Sequence, residues 1–148
     1  MGKQIIVPVD GSSHCLRALD IAVDLAKQRG LGILLLHVVP SGGVSQGLRE
    51  WAEIEHVHEM PQWLYPEGVA NNLLQSARDH IAADAGIELE QEVAYGDPAK
   101  CIIAMSMTER AAMVVIGSRG LSDAAGLVFG SVAHRVAHAA SCPVITVT

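Results

Sequence analysis

Aromatic residues make up only 3% of the chain, with a single Phe. A core without large rings must be filled by Val, Ile, Leu and Ala, which favours helices packed on a buried parallel sheet over a β-sandwich. Positive charge is also scarce: 10 Lys and Arg stand against 16 Asp and Glu, and no basic run occurs. The electrostatic footprint of a nucleic-acid binder is therefore missing. The three cysteines, Cys15, Cys101 and Cys142, are far apart and form no Cys-x-x-Cys, so they read as reduced thiols of a cytosolic protein. No apolar stretch is long enough to span a bilayer. Met1 to Asp10 runs straight into a strand-like segment without the apolar region or cleavage site of a signal peptide. Ile6 stands where a myristoylation signal needs Ser or Thr. A cytoplasmic protein, with neither membrane nor nucleic acid as partner, is the expectation.

Half of the 148 residues are hydrophobic, which excludes disorder as the main state and suits one domain with its own core. Short β-branched runs recur at 4–9, 32–39, 88–94, 112–116 and 144–147. Helical periods lie between most of them. Ser12 or Ser13 caps a helix with Leu16, Leu19, Val23 and Ala26 on one face, closed by Gly30. Leu73, Leu74, Ala77, Ile81 and Ala85 mark a second helix, closed by Gly86. Asp97-Pro98 supplies the cap and first residue of a third, and Val132, Val136 and Ala140 mark a fourth. Strands alternating with helices predict βαβ units and a parallel sheet with right-handed crossovers. The second and fourth runs are almost continuously apolar, as strands covered on both faces are. The third alternates with charge and belongs near an edge. The stretch from about 40 to 67, interrupted by Pro40, Pro61 and Pro66, breaks the rhythm. It reads as a long insert, with a short helix near 48–58, that forms a flap over a sheet edge or a ligand crevice.

Ligands of open parallel sheets bind at the carboxyl ends of the strands, where strand order reverses. Three segments belong there: Pro8-Val9-Asp10-Gly11-Ser12, His37-Val38-Val39, and Gly117-Ser118-Arg119-Gly120 with Gly130-Ser131 opening the last helix. Glycines admit a phosphate close to backbone N–H groups, and a helix N-terminus adds unpaired donors and partial positive charge. The ordinary alternative is a glycine turn with Ser131 as a plain helix cap.

Gly117-x-x-Gly120, nine residues, then Gly130-Ser131 resembles the nucleotide motif of the ATP-binding universal stress proteins. Val7-Pro8-Val9-Asp10-Gly11-Ser12, Leu35-Leu36-His37-Val38, Gly96-Asp97-Pro98 and Ser141-Cys142-Pro143-Val144 resemble further landmarks of that family, in order from residue 4 to residue 147. The resemblance implies a single domain over 1–148 with an open five-stranded parallel sheet of order 3-2-1-4-5 and helices on both faces, Rossmann-like and similar to the adenine nucleotide alpha hydrolases. It implies that ATP, ADP or AMP, with or without Mg2+, sits against Pro8, Val9 and Asp10. Val38 would meet the adenine through its backbone; Gly117, Arg119 and Gly120 would line the ribose and phosphate path. Gly130, Ser131 and Val132 would donate to the phosphates. It also implies a stress-response module that dimerises through the last strand, Val144 to Val147.

One departure bears on the phosphates. Residues 121–129 hold no cation and one acid, Asp123, which repels a triphosphate unless a metal intervenes. Arg119 and Arg135 are the cations within reach. Weak triphosphate binding, a preference for AMP or ADP, or a need for Mg2+ follows.

Several residues have plainer readings. Asp10 serves equally as a turn acid, and His37 inside an apolar run as a structural histidine. His134 and His138, spaced i, i+4, could hold zinc but show no third ligand in sequence. Glu55, His56, His58 and Glu59 read as a solvated face. The Walker A loop, a Gly-x-Gly-x-x-Gly after the first strand and a Gly-x-Ser-x-Gly elbow are all missing. Cys101 is a nucleophile only by elimination. No catalytic residue and no metal site are assigned. The rival functions are an interaction protein of the same fold that binds no nucleotide, and a weak ATPase.

Overall fold

In a computed structural model of the chain, residues 2–40, 66–81, 86–119 and 130–148 are described. Five strands, β1 (Gln4–Pro8), β2 (Gly32–Val39), β3 (Leu89–Tyr95), β4 (Ala111–Gly117) and β5 (Val144–Val147), alternate with four helices among the described residues. These are α1 (Ser13–Arg29), α2 (Pro66–Ile81), α3 (Pro98–Ser106) and α4 (Ser131–Ala139). The sheet is parallel throughout and its order is β3-β2-β1-β4-β5, as the alternation of patterns predicts.

Burial follows the hydrophobic pattern. β2 is buried at all but one position, whereas β3, with Glu90, Gln91 and Glu92, is partly exposed along its length and forms one edge. β5 forms the other. Alternation divides the side chains between two cores. Ile5, Val7, Val9, Ile33 and Leu35 meet α1 and α2 through Leu19, Val23 and Leu74. Ile6, Leu34, Leu36, Val38 and Val114 meet α3 and α4 through Ile102 and Val136. Each fully buried Leu or Ile contributes about 1.5–3 kcal/mol.

The ends of the helices were largely legible in sequence. Ser12 caps α1, its hydroxyl accepting from Cys15 N–H at 3.1 Å. Asp97 caps α3, accepting from Lys100 N–H at 2.9 Å, with Pro98 as first helical residue. α2 begins earlier than its apolar period suggests, at Pro66. The flap and the short helix expected within 41–65 lie outside the described residues. No described helix is long and apolar enough to cross a membrane.

Candidate functional site

Strand order reverses at β1, whose neighbours β2 and β4 are reached in opposite directions. A crevice of about 270 Å³ opens at this point, beyond the carboxyl ends of β1, β2 and β4 and beside α3 and α4. Pro8, Val9, Asp10, Val38, Gly117, Arg119 and Val132 all line it. Residues from four separate segments of the chain thus converge, as expected. Gly130 is buried at the head of α4, and its N–H donates to the Ser118 carbonyl. Ser131 is exposed, one residue into the helix. Gly120 and the acid Asp123 lie outside the described residues.

Other lining residues carry no polar signal in sequence. Leu36, Ile102, Ile116 and Ala133 make the walls apolar, and Pro98, read from sequence only as a helix starter, stands beside them. Cys15 also faces the crevice; burial pushes its thiol pKa up, so it remains protonated and no nucleophile. Cys101, the other thiol considered, donates to the Tyr95 carbonyl across 3.7 Å.

The polar groups at the rim are mostly backbone. The β1–β2 register ends at Pro8↔Leu36. Val38 stands beyond that pair, and by strand alternation its N–H and C=O point to the same side as those of Leu36, toward the crevice. α4 is different in kind from α1 and α3. Its N-cap is Gly130, which offers no side-chain cap bond. The first intrahelical bond runs from His134 N–H to the Gly130 carbonyl, leaving the N–H groups of Ser131, Val132 and Ala133 without helical partners. Ser131 is therefore the first helical residue and not the plain cap of the ordinary reading. Three donors at a helix N-terminus suit an anion.

Three of the residues singled out in sequence make telling contacts in the fold. Asp10 accepts from Ser12 N–H at 2.9 Å, so one of its oxygens is the turn acceptor while the residue also lines the crevice. Gly117 owes its lack of a side chain to packing. A Cβ there would lie 2.8 Å from His14 Cβ and 2.9 Å from His14 C, because α1 starts directly against the end of β4. The close approach is by a helix, where sequence spacing suggested a phosphate. Arg135 forks onto Asp97 with both contacts at 3.1 Å, joining α4 to the cap of α3. The Arg135 guanidinium, with Lys100 N–H, holds the Asp97 carboxyl below the ordinary carboxylate range.

His14 Nδ1 meets the buried Ser118 hydroxyl at 3.2 Å, and His37 Nδ1 meets the Val9 carbonyl at 2.7 Å. His37 is thus a bonded structural histidine, as its setting predicts, and also a wall of the crevice. His134 and His138 stack with ring centroids 6.2 Å apart. No cluster of three or more metal-ligating side chains occurs among the described residues.

The sequence model of the universal stress protein family matches residues 1–148. The chain belongs to that family. Universal stress protein YxiE of Bacillus subtilis is 31% identical over 99% of this chain and 99% of its own length. Among solved structures, the universal stress protein UspA from Lactobacillus plantarum superimposes with a TM-score of 0.77 at 23% identity, covering 99% of this chain and 97% of that one. The universal stress protein from Archaeoglobus fulgidus in complex with dAMP has a TM-score of 0.68 at 24% identity, covering 100% of this chain and 98% of the other. The five-stranded sheet of order 3-2-1-4-5 is thus the universal stress protein fold.

Proposed function

We propose that the crevice binds an adenine nucleotide, and that the protein is a regulatory module of the stress response rather than an enzyme. The observation that carries this reading is that two sets of backbone groups without partners among the described residues stand across an apolar crevice: Val38 N–H and C=O on one side, the first-turn N–H groups of α4 on the other. Adenine offers an acceptor and a donor on adjacent atoms of one edge, which suit an N–H and a C=O of one residue. Phosphate suits uncapped helix donors. The dAMP-bound relative of the same fold supports the same ligand class.

Few cations are at hand for the phosphates. Residues 120–129 carry none, and Arg135 is held by Asp97. AMP and ADP therefore bind in preference to metal-free ATP, and Mg2+ narrows the difference by offsetting charge at Asp123. Arg119, which lines the crevice, borders the ribose and phosphate path. Bound nucleotide acts by favouring one conformation of a dimer or partner surface. β5, a four-residue apolar edge with Val144 and Ile145 half-buried, is the surface through which two copies pair.

Calorimetric titration of nucleotide-free protein with AMP, ADP and ATP, each with and without Mg2+, tests the reading. Saturable AMP binding with weaker metal-free ATP binding is expected. Tight ATP binding without metal contradicts the phosphate preference. No binding by any of the three moves the function to an interaction protein of this fold.

A further inference from the structure

The parallel ladder between β1 and β2 follows a strict alternation. Gly32 N–H donates to the Lys3 carbonyl at one end, and Val9 N–H to the Leu36 carbonyl, at 2.8 Å, at the other. The next rung in that sequence runs from Val38 N–H to the Val9 carbonyl. It is not made. The Val9 carbonyl instead meets His37 Nδ1 at 2.7 Å. A carbonyl can only accept, so Nδ1 carries the proton. The rung after that, from Gly11 N–H to the Val38 carbonyl, is also missing, because the chain turns away at Gly11 with φ of 82°. Val38 lines the crevice, so both of its backbone groups face it without a ladder partner among the described residues, and a ligand there can supply one.

We infer that His37 is a positioning residue: by bonding the Val9 carbonyl it holds that acceptor off the line of the ladder, and so keeps Val38 N–H open for a ligand acceptor. The side chains of His37 and Val38 lie on opposite faces of the sheet, and the Val38 N–H lies in its plane. His37 points to the α1–α2 side, where its strand partner Val93 packs, while Val38 packs on the α3–α4 side. The imidazole thus reaches the Val9 carbonyl from one face while it walls the crevice edge. Its identity is constrained by reach and polarity. Asn places an amide N–H near the position of Nδ1, whereas Leu of comparable bulk has no donor at all. The identity of the ligand rests on the nucleotide reading above; the open rung does not.

The test is amide hydrogen exchange by NMR on the ligand-free full chain, with AMP titration of the same samples. In the wild type, Val38 N–H is expected to exchange at least about tenfold faster than Leu36 N–H, which has its rung. The His37 ring is expected to show a protonated Nδ1 in its nitrogen shifts. In His37→Leu, the freed Val9 carbonyl captures Val38 N–H, Val38 becomes protected, and AMP affinity falls about tenfold, the scale of one buried hydrogen bond. His37→Asn keeps Val38 open and AMP affinity within about threefold of wild type. Val38 protected as well as Leu36 in the wild type overturns the inference, as does a His37→Leu protein with unchanged Val38 exchange. If that variant does not fold, the wild-type exchange and tautomer decide by themselves. Val38 exchange that responds to His37 as expected, in a wild type that binds no AMP, upholds the ladder inference and rejects the nucleotide reading.

Discussion

The two ends of the sheet are built on opposite rules. At the amino end every strand is tied down. Gln4 N–H donates to the Arg110 carbonyl, Gly32 N–H to Lys3 and Ile33 N–H to Glu88, at 2.8–3.1 Å. The Arg110 guanidinium reaches across to Glu90 on the edge strand β3 with contacts of 2.7 and 3.3 Å. At the carboxyl end β1 stops at Pro8 while β2 runs on to Val39, and α4 begins uncapped. One end satisfies its backbone internally. The other leaves donors and acceptors around a crevice with apolar walls. Backbone groups without partners among the described residues are concentrated at that one end, and the proposed ligand site rests on this.

The hardest way to break this contrast is Gly117→Val. The new side chain collides with the backbone and Cβ of His14, pushing α1 off β4. A loss of about 2–3 kcal/mol in denaturant unfolding is expected, with nucleotide binding lost alongside. Gly130→Val acts on the same end with a different signature. Gly130 has φ of −70°, which any residue adopts, so no backbone strain follows. A branched side chain at the head of α4 obstructs the phosphate donors, and AMP affinity falls about tenfold or more with little change in melting temperature. A Gly130→Val protein that binds AMP normally places the phosphates elsewhere.

Asp97→Asn sharpens the contrast by changing charge alone. Asn still caps α3 by accepting from Lys100 N–H, but releases Arg135 from its ion pair. Metal-free ATP should gain about threefold in affinity relative to AMP, the modest scale of an exposed charge; calorimetry of both nucleotides measures it. The smallest effect is expected at the amino end. The Arg110 guanidinium beside Glu90 holds that carboxyl below its ordinary range. A depressed folded-state pKa stabilises above the unfolded pKa and is lost as pH falls through the folded one. Glu90→Gln should therefore lower the melting temperature slightly at pH 7, and the difference should shrink as pH falls below the ordinary Glu value of about 4.3. AMP affinity at pH 7 should not change.

Much of this site can be read without coordinates. Proline and glycine punctuation, the apolar runs and the helix periods locate the described strands and helices, because each signal is local; the start of α2 at Pro66, ahead of the apolar period that opens at Leu73, is the exception. The same is true of Asp97-Pro98 and Ser12 as helix starts, since a cap bonds within its own first turn. Asp10, Val38, Arg119 and Val132 fall where the strand ends and the glycine motif direct them. The apolar walls were not visible: Leu36, Ile102 and Ile116 look like any other core residues until the fold shows that their strand and helix ends open on a crevice.

What the sequence determines by itself is the alternation of strand and helix, the division of side chains between two faces, and the family motif, all carried by neighbours within a few positions. Only the tertiary structure decides which groups are left over. Gly117 is bare because α1, a hundred residues earlier in the chain, packs onto it. Arg135 is occupied because α3 delivers Asp97 to it. Val38 keeps an open N–H because β1 ends one rung short and His37 takes the vacant carbonyl. These are contacts between distant segments, and local periodicity carries no information about which distant backbone group will find a partner.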